Sequence, residues 1–161
     1  MNLNYQQIKV AVTIVFCAML MIPVGLASRA PNTTAVELTW DDLLELNLKT
    51  GKVGPKLGRS VGKLVKLPGF MVALDDIGQE KIGEFLFVPY AQACIHVPAP
   101  PPNQIVHARV KPGKRVLYDS WQPFWAYGVI KIDKSKSDLA EASFRMVVHR
   151  LEPYTEEFLD Y

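Results

Sequence analysis

A cysteine and a histidine, Cys94 and His96, lie two positions apart just before a proline-rich stretch. A thiolate and an imidazole are ligands of zinc and copper, and a thiol beside an imidazole can also be a nucleophile. On an extended backbone, side chains at positions i and i+2 point to the same side. The pair therefore predicts half of a metal site, with zinc expected before copper.

The neighbours of this pair predict which way it faces. Ile95 and Val97 alternate with Cys94 and His96, so they occupy the opposite side of an extended segment. If Ile95 and Val97 enter the core, Cys94 and His96 face outward or into a cleft. This arrangement favours a reactive or metal-binding pair.

The residues that follow are expected to hold the pair in place. Proline fixes φ, so Pro100, Pro101 and Pro102 brace an extended loop, although such a run can also be a ligand for an aromatic groove. Asn103 and Gln104 supply amides that would orient a metal ligand or tie down the loop.

Stable tetrahedral zinc requires further ligands from elsewhere in the fold. Asp75 closes a strand that we expect next to the Cys-His segment. Two consecutive aspartates, Asp75 and Asp76, are also typical of a turn. His107 shares a strand face with Ile105 and Arg109, which we expect to be the more solvated face, and it is a weaker candidate. His149 is expected to be a surface histidine. The predicted metal ligands are therefore Cys94, His96 and Asp75.

A thiol enzyme is the alternative chemistry. His96 could lower the pKa of Cys94, but side chains at i and i+2 on a strand are roughly 7 Å apart, which is long for proton transfer. No acid or amide stands at a motif spacing that would orient the imidazole. The pattern favours a protein that is not an enzyme.

The remaining sequence indicates one exported domain. The 161 residues are 49% hydrophobic and carry a net charge of +2, which gives no sign of nucleic-acid binding. Residues 1–27 have the pattern of a signal peptide, with the uncleaved membrane anchor as the alternative. Cleavage would remove Cys17 and leave Cys94 without a disulfide partner in an oxidising compartment. We expect a 28–38 linker and a single domain over 39–161, located in the periplasm.

Short strands separated by glycine and proline predict an all-β fold. Thr39 is expected to cap a helical turn, and residues 51–62 are expected to form a glycine-rich connector. Pro68-Gly69 is expected to bend the first long strand, and 135–140 to favour helix. The strands are predicted at 63–74, 82–88, 105–110, 124–132 and 144–151. Their number and length favour a small OB-like Greek-key barrel with short peripheral helices.

Three segments resemble the signature of a bacterial exported family called domain of unknown function 3299. They read Phe-Leu-Phe-Val-Pro-Tyr at 85–90, Ala-Cys-Ile-His-Val-Pro at 93–98 and Pro-Pro-Pro-Asn-Gln at 100–104. The similarity spans roughly residues 40–154, and it departs from the family pattern at Ala73 and Ala99. By position, the family motif corresponds to Cys94, His96, Asn103 and Gln104, with Asp75 on the preceding strand; His107 lies outside it.

The resemblance implies a periplasmic or lipid-anchored protein. Genes of this family are often near ABC-type export or lipoprotein-release machinery, and in some bacteria near zinc-responsive genes. The leading expectation is therefore a metal-binding accessory of an ABC-type envelope transporter. The alternatives are a metal-free module that docks on an envelope complex through the proline-braced loop, and a Cys94-dependent enzyme.

Overall fold

The computed structural model describes residues 34–74 and 78–154. The predicted signal segment 1–27 and Asp75 lie outside these residues. None of the described helices has the length and apolar character of a membrane-spanning segment. In chain order the elements are β1 (Val36–Glu37), α1 (Trp40–Leu43), α2 (Pro55–Ser60), β2 (Leu64–Ala73), β3 (Lys81–Ile82), β4 (Glu84–Val88), a 3-10 helix (Pro102–Gln104), β5 (Val106–Val110), β6 (Val116–Leu117), β7 (Phe124–Lys136) and β8 (Glu141–Pro153).

Strand pairing confirms the all-β prediction. The main sheet has the order β1-β2-β4-β5-β8-β7, and β7 also pairs with β2, so five strands form a closed circuit of pairings. All pairings in the circuit are antiparallel except that of β5 with β8, which is parallel. The short strands β3 and β6 form a separate two-stranded sheet.

The first long strand changes partner at the predicted bend. Residues 64–69 of β2 pair with β7, whereas 70–73 pair with β4. A Cβ atom on Gly69 would lie 2.6 Å from the carbonyl oxygen of Val88 and 2.8 Å from Cζ2 of Trp40. Glycine is therefore required here, because it lets the neighbouring backbone approach closely.

Alternate side chains of the five strands form the core inside the circuit. Each of the five strands directs every second residue inward, as expected for a pleat of period two. The largest fully buried side chains of this core include Phe85, Phe87, Phe144, Leu67 and Met71. A second apolar cluster contains Val72 and Leu86, which alternate with core residues and so lie on the opposite face of β2 and β4.

The local predictions were partly wrong. Thr39 caps α1 as expected, in a capping box with Asp42. The predicted connector at 51–62, however, contains α2, which begins at Pro55 and buries Leu57. The helix expected at 135–140 is wrong, because β7 extends to Lys136 and pairs there with β8. The partner strand decides the structure of this polar segment.

Candidate functional site

The backbone at the Cys-His pair is a tight turn, which corrects the prediction of an extended segment. Cys94 has a φ of 66°, in the left-handed region. The amides of Ile95, His96 and Val97 all donate to the carbonyl of Gln92, at 3.2, 3.1 and 3.4 Å, and the Cys94 amide donates to the Val97 carbonyl at 3.1 Å. The i, i+2 alternation of a strand therefore does not apply to Cys94 and His96.

The condition on which the predicted orientation rested is not met in this turn. Ile95 and Val97 do not enter the core, because they are 47% and 42% exposed. Cys94 is half-buried and packs against the second apolar cluster, whereas His96 is exposed. The turn thus anchors its cysteine and presents its aliphatic side chains to solvent.

The environment of Cys94 favours the protonated thiol. Burial raises the pKa of the Cys94 thiol above its ordinary value of 9.0. Nucleophilic attack near neutral pH requires the thiolate, which a lowered pKa would favour. In the part of the chain that the structure describes, no group of three or more histidine, cysteine or carboxylate residues could hold a metal ion.

The prolines and amides after the pair stabilise the chain that follows. Pro100 is buried, Pro101 is exposed, and Pro102 begins the 3-10 helix. The Nδ2 group of Asn103 donates to the Leu46 carbonyl at 3.0 Å, while its buried Oδ1 accepts no hydrogen bond from a described residue. Gln104 is half-buried at the end of that helix. Asn103 therefore fixes this helix to the segment after α1.

Residues 89–101, here called the proline loop, are held at several points. Ala93 is fully buried, the Tyr90 hydroxyl donates to the Pro98 carbonyl at 3.0 Å, and Nε2 of Gln92 donates to Oγ of Ser120 at 2.9 Å. The last bond joins the proline loop to residues 118–123. These contacts give the loop a defined conformation.

The proline loop and its neighbour carry exposed apolar side chains. Tyr90 is 40% exposed, and Trp121, in the segment joined through Ser120, is 69% exposed. We use the name docking surface for these two residues together with Ile95 and Val97. Sequence reasoning did not assign Tyr90, Gln92 or Trp121 to a site, because the Gln92–Ser120 bond joins residues far apart in the chain.

The other two histidines lie elsewhere. The His107 ring is hydrogen-bonded through Nδ1 to Oγ of Ser135 at 3.0 Å and through Nε2 to Glu84 at 2.5 Å. Arg109 donates to both oxygens of Glu84, at 2.9 and 2.8 Å. His149 is exposed on β8. His107 thus belongs to a network across β4, β5 and β7.

The comparisons identify a family but no activity. A family model described as protein of unknown function DUF3299 matches residues 28–153. A DUF3299 family protein from Pseudomonas aeruginosa PAO1, known from its crystal structure, is 30% identical in sequence to this chain. The match covers 76% of this chain and 98% of the Pseudomonas chain, with a TM-score of 0.62. A putative aspartyl-tRNA synthetase from Leishmania major Friedlin is 9% identical over 96% of this chain and 27% of its own, with a TM-score of 0.43, and carries no argument. No curated protein matches.

Proposed function

The chain belongs to the DUF3299 family, and on that premise we propose that it is a protein-interaction module that docks on an envelope complex through the proline loop. The observation that carries the proposal is the outward display of Ile95 and Val97 on a loop whose backbone is fixed. An isolated exposed aliphatic side chain is ordinary, but several on one fixed loop are typical of an interaction site.

The fixed backbone is important for affinity. Ordering a flexible loop on binding costs conformational entropy, whereas a preformed loop loses little. Here three amides converge on the Gln92 carbonyl, and buried Ala93 and Pro100 lie on either side of the exposed residues. Ile95 and Val97 are therefore suited to fill an apolar cleft of a protein partner.

The family resemblance supports a proposal for the compartment and the partner. We place the protein in the periplasm, as an accessory of an ABC-type transporter, with residues 1–27 as the export signal or anchor. The closed pairing of five strands, with β5 and β8 parallel, supports the finer assignment of an OB-like Greek-key barrel. In that architecture the proline loop connects two adjacent barrel strands, β4 and β5.

Binding of zinc, or of copper, is the second proposal. Cys94 occupies a backbone conformation that non-glycine residues rarely adopt, and such positions are enriched at functional sites. His96 is exposed in the same turn. The remaining ligands would come from Asp75 or from a partner protein. Metal analysis of the wild type, Cys94→Ser and His96→Ala tests this. Substoichiometric zinc and copper in all three proteins would refute it.

Native electrophoresis of envelope extracts tests the docking proposal. The wild type is expected in a complex larger than the free chain. The double variant Ile95→Asp, Val97→Asp should migrate as the free chain, because charge in an apolar cleft opposes binding.

The control is Leu139→Asp, which changes another exposed aliphatic side chain, 40% exposed, in the turn between β7 and β8. It should retain the complex. Loss of the complex in the control, or its retention in the double variant, would refute the proposal.

A further inference from the structure

One cavity is lined by none of the proposed metal ligands and by no residue of the docking surface. The turn between β5 and β6 and residues 148–151 of β8 line this cavity, which has a volume of about 340 Å³ and is here called the basic cavity. Four of its lining residues are lysine or arginine, and none of the described lining residues is acidic. The four are Lys111, Lys114, Arg115 and Arg150, and His149 also lines the cavity. For a chain with a net charge of only +2, four cationic side chains are a strong local excess of positive charge.

Two of these charges have no counter-ion among the described residues. The ammonium groups of Lys111 and Lys114 form no ion pair there, and both project from one tight turn closed by the Lys114 amide and the Lys111 carbonyl at 3.0 Å. Arg150 differs, because it bonds Glu152 at 3.0 Å and lies 4.0 Å over the Tyr127 ring. Arg150 is thus held in place, and the two lysines are available to a ligand.

The same cavity has an apolar floor. Val110 and Val148 are 6% and 2% exposed and belong to the main core, while Val116 and Leu151 are partly buried against it. All four line the cavity. A ligand that fits this surface therefore combines an anionic group with a small apolar part.

We propose that the basic cavity binds a phosphate-bearing ligand, either a phospholipid headgroup or a soluble phosphate monoester. Ammonium groups form strong charge-assisted hydrogen bonds with phosphate oxygens. Charges of one sign in a concave, low-dielectric surface also reinforce one another's field. The volume is within the range of small-molecule sites, about 300–1,000 Å³. The site is independent of the docking surface.

Two probes that share the glycerol phosphate group distinguish the sources. Glycerol 3-phosphate is titrated by calorimetry, with glycerol as the uncharged control. Flotation is measured with vesicles of phosphatidylcholine and of phosphatidylcholine mixed with phosphatidylglycerol. The test variant is Lys111→Gln with Lys114→Gln. The matched control is Lys134→Gln with Lys136→Gln, which removes the same charge from exposed positions of β7.

Binding should weaken at least about tenfold in the test variant and less than about twofold in the control, with unchanged melting temperatures. Flotation that follows this pattern identifies a lipid headgroup, whereas glycerol 3-phosphate binding without flotation identifies a soluble ligand. Equal losses in the two variants, or no saturable binding of either probe, would overturn the proposal.

Discussion

At the scale of single residues, Cys94 is the most informative side chain. Its position in the turn and its packing against the second apolar cluster make it part of the structural support of the proline loop. The thiol contacts the cluster from which the exposed part of the loop extends. The reactivity of the Cys94 thiol is therefore expected to reflect its packing.

Alkylation of Cys94 should be slower than alkylation of a free cysteine peptide at pH 7, and its rate should still be rising with pH at the ordinary pKa of 9.0 and level off only above it. The reason is that burial disfavours the thiolate, which is the reacting species. Iodoacetamide kinetics across pH measure this, and protein unfolded in urea is the control. A rate above that of the free peptide at pH 7 would contradict it and favour the metal proposal.

Gly69→Ala should destabilise the protein by about 1–3 kcal/mol, because the added Cβ would overpack the backbone of β4. Its distance to the Val88 carbonyl oxygen would be only 2.6 Å. Urea unfolding measures the change. Gly58→Ala is the control, since its Cβ would find its nearest neighbour at 3.8 Å. Equal stability of the Gly69 variant and the wild type would refute the close approach.

At the scale of elements, α1 is too short to persist without its cap. The Asp42 carboxylate accepts from the Thr39 amide at 2.7 Å, and it pairs with Lys56 of α2 at 2.6 Å. Burial alone would raise the pKa of Asp42, but the Lys56 and Thr39 contacts outweigh it and hold that pKa below its ordinary value of 3.8. The carboxylate therefore joins α1 to α2.

Asp42→Asn should cost about 0.5–2 kcal/mol at pH 7, the range for lost helix caps. Because the folded-state pKa is lowered, the stabilisation is present above pH 3.8 and is lost as the pH falls through the folded-state pKa. The stabilities of wild type and variant should thus converge in acid. Chemical unfolding at several pH values measures this, with exposed Asp41→Asn as the control. A difference that stays constant down to the acid limit would contradict it.

Strands with clear local sequence signals were predicted correctly, and some other elements were missed. The strands at 64–73 and 106–110 were predicted because alternation and the Pro68-Gly69 bend are local signals. The helix α2 was missed because Gly58 within it and Gly54 and Gly62 on either side resemble a connector, although Pro55 at its first position is a typical start signal. Residues 135–136 are extended because they pair with β8, and local sequence propensity does not reveal this pairing.

The candidate site was less predictable than the fold. A cysteine at positive φ goes against backbone preference, so the turn at Cys94 has no local signal. The exposure of Ile95 and Val97 depends on this turn, and the anchor between Gln92 and Ser120 joins distant segments. The motif was visible in the sequence, but its orientation was not.

At the scale of the whole molecule, the closed circuit of strands shares one core. Phe85 is fully buried at its centre and packs edge-on against Phe87 at 6.2 Å. Phe85→Ala should cost about 3–5 kcal/mol, from lost burial and the cavity left behind. Circular dichroism and tryptophan fluorescence should report one coincident unfolding transition. Separate transitions for the two probes would contradict a single core.

The central claim is that the proline loop presents Ile95 and Val97 to a protein partner. Site-specific photocrosslinking in living cells tests it most directly, with the photoreactive residue placed at Val97 or, as the control, at Leu139. We predict one dominant crosslinked protein from position 97 that is absent from position 139 and disappears when Ile95 is changed to Asp. The same products from both positions, or no crosslinked protein from position 97, would contradict the claim.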